Sequence, residues 1–228
     1  MYYSEDDLKY LRGEKFSTHY DMRLESNKLV WRVGRIVEIC TNANVLHIGC
    51  CDHISVIEKK IRENTWLHGL LDEKCAYLQG LDICHEAVEI CNKNRYCSVP
   101  IIEGDATLCR LEKMEEYDYV LMPEMIEHVN NPVDFLKETK RNLKKQGFKG
   151  KYIITAPNAL GIMKRNIFTK SCERINTDHK YWFSPFTLAK IMVEAGMAPE
   201  RCEFVQYSPC EKEEENTYKS DAILVIGY

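Results

Sequence analysis

Residues 42–55 read NANVLHIGCCDHIS. The apolar run Val45-Leu46-His47-Ile48 leads into Gly49, as a buried strand does when it turns toward a helix at its carboxyl end. A glycine there lets backbone approach a bound molecule closely, and the following helix N-terminus offers free N–H groups. Nucleotide-cofactor loops usually add two more glycines, but this chain places Cys51 and His53 instead. A negative φ at 51 and 53 would leave these side chains merely narrowing the pocket, whereas a positive φ would strain them. One glycine after a strand is, alone, an ordinary turn.

Outward from this loop, apolar runs of strand length recur at residues 45–48, 77–83, 99–103, 117–122 and 152–156. Helix-like stretches fall near 28–41, 54–64, 85–95, 131–146 and 184–196. Alternating strands and helices predict an α/β, doubly wound Rossmann-like sheet, mostly parallel and covered on both faces. Two β-like runs, 201–207 and 220–226, flank the charged stretch CEKEEENTYK and predict a closing antiparallel hairpin. Residues 1–27 are polar and aromatic with little periodicity, which suggests an N-terminal arm or lid before a single domain over 28–228.

The 228 residues, 45% of them hydrophobic, suit one domain with a full core. With 31 basic and 35 acidic side chains the chain lacks a broad cationic footprint, so extended nucleic-acid contacts are disfavoured. No apolar run approaches the roughly 20 residues that span a bilayer, and the start MYYSEDDLKY is unlike a signal peptide; a cytoplasmic location without membrane contact is expected. The eleven cysteines are scattered with no C-x-x-C pair, and read as reduced thiols packed as small apolar residues.

In an open parallel sheet, ligands collect at the carboxyl ends of the strands. Asp82 in LQGLDIC ends the second strand, where a carboxylate can accept both hydroxyls of a ribose; capping the next helix is the alternative. Asp105 in IIEGDA ends the third, where it could accept from an exocyclic amine or simply make a turn. In PEMIEHVNNP, a helical turn after Pro123 would put Glu124, Glu127 and His128 on one face.

The series VLHIGC, GLDIC, EGDA, YDYVLMPEMIEHVNNP, GKYIITAPN and HKYWFSPFTLAKIMVEAGM resembles, in order and spacing, the class I S-adenosylmethionine-dependent methyltransferases, especially the bacterial branch acting on small molecules and glycans. The resemblance covers residues 28 to about 205 and implies S-adenosylmethionine as cofactor. It would place Gly49, Cys50, Cys51 and Asp52 beneath the methionine part, Asp82 on the ribose, and Ile83 against the adenine. Asp105 with Ala106 would meet the adenine's amino edge, Pro123 would touch the cofactor, and Glu124 would lie near the reacting methyl. His47 departs from the family, which often has an acidic residue there, as do Cys51 and His53.

The E-x-x-E-H of Glu124, Glu127 and His128, with the later His179, resembles the metal site of the small-RNA 2'-O-methyltransferases. These four could hold a divalent magnesium or manganese ion, act as base or substrate contacts without metal, or only cap and pack. By family position, Asn158, Tyr181 and Trp182, with Phe183, would line the acceptor pocket; core packing is the alternative for the aromatics. His19 and Tyr20 could close over the cofactor, while His53, His68, His85 and Arg165 receive no role. The function this implies is O-methylation of a small polar, carbohydrate-like or glycan-precursor acceptor, with His128 or His179 as base. Against it stands a non-catalytic binding protein of the same fold with a degenerate loop. A nicotinamide-dependent oxidoreductase would need a G-x-G-x-x-G that GCCDHI lacks. The metal-site resemblance admits an RNA acceptor, but the acidic balance and the absence of a basic helix argue against extended RNA contacts.

Overall fold

The computed structural model describes residues 1–25, 29–161, 175–209 and 220–228; Arg165 and the charged stretch 210–219 lie outside them. Its strands are β1 (Val30–Trp31), β2 (Asn44–Ile48), β3 (Tyr77–Asp82), β4 (Ile102–Glu103), β5 (Tyr119–Pro123), β6 (Lys151–Pro157), β7 (Pro199–Gln206) and β8 (Ala222–Gly227). Its helices are α1 (Glu5–Leu11), α2 (Arg32–Cys40), α3 (Ile54–Arg62), α4 (Leu67–Asp72), α5 (His85–Asn94), α6 (Pro132–Lys145) and α7 (Pro185–Glu194). The strands form a mixed, mostly parallel sheet in which β7 and β8 pair antiparallel, in agreement with the expected fold class.

The chain divides into two compact units. One comprises Met1–Arg32, Glu124–Lys137 and Ile153–Tyr228; the other comprises Val33–Pro123 and Glu138–Tyr152. In the second unit the strand order is β5-β2-β3-β4, all parallel. Val45, Leu46, Leu81, Val120, Leu121 and Met122 are fully enclosed, as strands covered on both faces require. The expected strand at 99–103 shortens to Ile102–Glu103, because Pro100 has no N–H to give a ladder and Ile101 N donates instead to Asn92 Oδ1 at 2.8 Å. Helix α4 has only six residues, LHGLLD, too few for a helical period to show in the sequence.

Gly150 marks a close approach of two backbone segments in this unit. A Cβ there would lie 2.2 Å from the Asp118 carbonyl oxygen, which already accepts from Lys151 N at 2.9 Å. Backbone cannot step aside cheaply, so Gly150→Ala should cost about 3 kcal/mol, the upper part of the overpacking range. Thermal unfolding should show Tm lower by about 6–12 °C; an unchanged Tm would mean that the Asp118 carbonyl yields freely.

In the first unit the order is β1-β7-β8-β6. Helix α7 starts as its sequence predicts: Ser184 caps it, Pro185 follows, and the Ser184 and Thr187 side chains exchange bonds with each other's backbone. The N-terminal segment holds a helix that its weak periodicity concealed. Ser4 and Asp7 form a capping box on α1, the Met1 amino group donates to Cys202 O at 2.7 Å, and Tyr3 OH donates to Pro185 O at 3.0 Å. Leu11 is fully buried, so the packing of this short helix, more than its propensity, holds it. Tyr20 stacks on Tyr10 and donates to Asp7 Oδ1 at 2.6 Å, while His19 is exposed.

Candidate active site

The loop after β2 answers the question raised by its missing glycines. Gly49 has φ +70°, but His53 has φ −52° and Cys51 is not among the positive-φ residues. No left-handed residue is needed at 51 or 53, so a glycine there would contribute nothing that these side chains lack. Gly49 N donates to Leu81 O at 2.8 Å, and Cys50 O accepts from Trp66 Nε1 at 3.2 Å. The Cys50 thiol occupies space that Gly80 leaves open, since a Cβ on Gly80 would approach it to 2.8 Å. Asp52 is tied to Lys60 Nζ at 2.5 Å.

Asp82 organises this loop. Its Oδ2 accepts from Cys51 N at 2.8 Å and its Oδ1 from Cys84 N at 3.0 Å. Helix α5 has Cys84 as its cap residue with no side-chain cap bond, so Asp82 makes a local turn and does not cap that helix. Ile83, next to it, is 73% exposed, an unusual display of an apolar side chain at a strand end. Asp105 Oδ1 accepts from Thr107 N and Thr107 Oγ1 at 2.8 and 2.7 Å, a turn that leaves Oδ2 as the atom able to receive an amine. Ala106 is buried, with its carbonyl bonded to Asn142 Nδ2. His47 explains its own departure: its Nδ1 lies 3.2 Å from Nδ1 of His68, and burial pushes the His68 pKa down to about 4, so an uncharged ring sits there. Pro123 is buried where β5 ends.

In the first unit, Glu124 departs from the expected helical turn. Its φ is +50°, and residues 126–128 form only a turn, with His128 N donating to Met125 O. A left-handed glutamate costs about 1–3 kcal/mol and persists only where its surroundings hold it. Glu124 N donates to Thr155 O at 3.0 Å, Thr155 Oγ1 donates to Oε1 at 2.8 Å, and Tyr207 OH donates to Oε2 at 2.5 Å. The Glu124 carboxylate is therefore fixed by two hydroxyls.

Glu127, His128 and His179 do come together: one ligand atom from each lies within 4.8 Å of the others, a group that does not include Glu124. His128 Nε2 and His179 Nε2 lie 4.0 and 3.9 Å from Glu127 Oε1, and the two rings meet edge to face at 4.7 Å. Glu127 is completely buried, and among the described residues neither carboxylate oxygen has a hydrogen-bond partner; His179 Nδ1 is likewise without one there. Burial, then the Glu124 charge, pushes the Glu127 pKa from its ordinary 4.5 to about 8. Burial, then His128, lowers the His179 pKa, which keeps that imidazole neutral and able to accept a proton or a cation. Lys180 holds the turn, its N donating to Glu127 O at 2.8 Å and its Nζ to His128 O at 2.6 Å.

The other residues assigned to the acceptor differ. Asn158 is fully buried and donates from Nδ2 to Ser220 Oγ at 2.7 Å, while its Oδ1 accepts from Leu160 N; burial closes it to an acceptor, contrary to the expectation. Phe183 is core. Tyr181 remains 37% exposed with its hydroxyl on Asn130 O at 2.7 Å, and Trp182 lies 6.0 Å from the His179 ring. Sequence reading missed Tyr207, Thr155 and Arg32, whose guanidinium lies 5.7 Å from the Tyr207 ring centre. Tyr207 is 83 residues from Glu124, and no local motif marks it.

A proton on buried Glu127 makes stability depend on pH. Between about 4.5 and 8 the unfolded chain has released this proton and the folded chain has not, so stability falls as pH rises and levels off above about 8. In chelator-treated protein, Glu127→Gln should therefore raise Tm at pH 8 while changing it little at pH 4.5. Parallel pH profiles for the two proteins would show that Glu127 is ionised throughout.

Residues 64–149 match the family model described as a methyltransferase domain. No curated protein matches in sequence. Among solved structures, the chain is similar to an S-adenosylmethionine-dependent methyltransferase from Aquifex aeolicus, at 15% identity over 87% of this chain and 89% of that one, with TM-score 0.52. It is similar to the methyltransferase domain of bacterial CtHen1, at 15% identity over 86% and 96%, TM-score 0.55. A possible histamine N-methyltransferase from Thermotoga maritima aligns at 16% identity over 86% of each chain, TM-score 0.55. The match over residues 64–149 and the mixed, mostly parallel sheet give this chain the Rossmann-like fold of the methyltransferase structures it resembles. Among the described residues, no helix is long and apolar enough to cross a membrane.

Proposed function

We propose that this protein is an S-adenosylmethionine-dependent O-methyltransferase whose acceptor carries adjacent hydroxyls, as a terminal sugar does. The observation that carries this reading is the Glu127 carboxylate, fully buried and without a hydrogen-bond partner among the described residues, with two imidazoles about 4 Å away. An unsatisfied buried carboxylate calls for a proton or a cation. This donor set fits a divalent ion: Glu127, His128 and His179 would hold manganese, which accepts imidazole nitrogen as well as carboxylate oxygen, in preference to magnesium. Such an ion, when bound, gathers neighbouring hydroxyls and lowers the pKa of one.

On the cofactor side, the loop from Gly49 to Asp52, with Asp82, Ile83 and Asp105, would bind S-adenosylmethionine, which supplies a methyl on sulfonium. Asp82 would receive ribose hydroxyls on the lone pairs that Cys51 N and Cys84 N leave open, and exposed Ile83 would lie against the adenine. On the acceptor side, Glu124, clamped by Thr155 and Tyr207, would position the hydroxyl; with no ion in the cluster, neutral His179 would be the group that takes its proton. Tyr181 and Trp182 would give the sugar a flat wall. The work is expected in the cytoplasm.

The test measures transfer of labelled methyl from S-adenosylmethionine to methyl glycosides, ribonucleosides and short RNAs ending in a 2',3'-diol. Each is assayed with manganese, with chelator, and after periodate cleavage of the diol. Transfer that needs both metal and diol supports the reading. Equal transfer to the cleaved acceptor would remove the diol, and equal transfer in chelator would remove the ion. The CtHen1 likeness is the reason to include RNA ends.

A further inference from the structure

The cofactor loop brings together sulfur ligands that the proposed methyl transfer does not use. One donor atom each from Cys50, Cys51 and Asp82 lie within 4.8 Å of one another. The Cys91 sulfur, on α5, lies 3.9 Å from that of Cys51. A tetrahedral zinc site with sulfur bonds of about 2.3 Å has edges of about 3.8 Å, so this sulfur pair is already spaced as two ligands of one ion. The placement is built into the second unit. Asp82 is held by Cys51 N and Cys84 N, and Gly80 makes room for the Cys50 thiol. Cys51 is only half-buried, which gives an ion a way in. The cysteines come from a loop and a helix 40 residues apart, so no C-x-x-C pattern announces them.

We infer that Cys50, Cys51 and Asp82 form a binding site for a thiophilic divalent cation of the zinc class, with Cys91, which touches Cys51 but lies outside that group, as a fourth ligand once its side chain turns toward the ion. Thiolate, not thiol, is the ligand, so each metal–sulfur bond that forms releases one thiol proton to the buffer, with no change of oxidation state. Three sulfurs and a carboxylate select zinc or cadmium over magnesium or manganese, and thiolate ligation gives this site a charge-transfer signature that the oxygen and nitrogen cluster at Glu127 lacks. A consequence follows that rests on the proposed function. The ion would take Asp82 and the 50–51 loop, which the cofactor also needs, so zinc-class ions and S-adenosylmethionine exclude each other.

The experiment titrates reduced, chelator-treated full-length protein with cadmium and follows thiolate-to-metal charge-transfer absorption, a signal that a glutamate and histidine site does not give. One equivalent should develop the band. Cys51→Ser and Cys91→Ser, near-isosteric changes, should weaken binding at least as much as the roughly 10–100-fold that loss of an outer-sphere partner costs. Cys75→Ser, a half-buried cysteine outside the group, should bind as the unchanged protein does. Absence of the band, or a band unchanged by Cys51→Ser, overturns the site. Calorimetry with S-adenosylmethionine then tests exclusion: affinity should fall at least about tenfold with cadmium present, and much less in Cys91→Ser. Unchanged affinity overturns the exclusion. Failure of S-adenosylmethionine to bind metal-free protein would instead sink the cofactor reading and leave the charge-transfer result standing.

Discussion

Glu127→Gln is expected to lower methyl transfer by about 10³-fold while leaving S-adenosylmethionine affinity within about twofold. The amide keeps the shape of the side chain but can neither ionise nor hold a divalent ion firmly, and metal or general-base assistance accounts for about 10²–10⁴ in rate. His128→Ala and His179→Ala, each removing one of the two imidazoles about 4 Å from Glu127, should cost less, about 10–100-fold, in the range of a single supporting partner. Single-turnover rates measured at saturating cofactor, with and without manganese, separate these effects. The Gln variant should also be the more heat-stable protein at pH 8, since it removes a buried carboxyl whose pKa is pushed up to about 8. A variant that is inactive yet more stable would identify Glu127 as a residue retained for chemistry at a cost in stability. Full activity in Glu127→Gln would leave the cluster as packing alone.

Asp82→Asn should weaken S-adenosylmethionine binding by about 100-fold. The carboxylate accepts two backbone N–H groups and, in the proposed complex, ribose hydroxyls; charge-assisted bonds of this kind contribute about 1.5–3 kcal/mol each. Asparagine keeps one acceptor oxygen and so preserves part of the turn, whereas Asp82→Ala leaves Cys51 N and Cys84 N without partners and should destabilise the loop as well. Calorimetry on both, alongside thermal unfolding, distinguishes the roles. Tight binding by Asp82→Asn would confine Asp82 to shaping the loop.

The sequence by itself determined the class of fold. Alternating apolar runs of strand length and amphipathic stretches permit few arrangements other than a parallel sheet with helices, and the Ser184-Pro185 helix start and the β7–β8 hairpin followed from local chemistry alone. The positions of Asp82 and Asp105, at or just past strand ends, were legible for the same reason: such a residue is located by its strand. What spacing could not supply was backbone conformation and long-range pairing. The i, i+3, i+4 pattern of Glu124, Glu127 and His128 predicted one helical face, but Glu124 took a left-handed conformation because Thr155 and Tyr207 hold its carboxylate. His179 meets Glu127 across a sequence gap that carries no periodic signal, and Asn158, at a strand end like the acidic pair, turned out to be closed off by Ser220. Cys51 and His53 were settled only by their dihedral angles, since the same letters fit an open or a strained loop. Local propensity and periodicity act over a few residues, whereas a site is assembled by side chains that meet only once the chain has packed. Tertiary structure therefore decided which of the legible residues share a space.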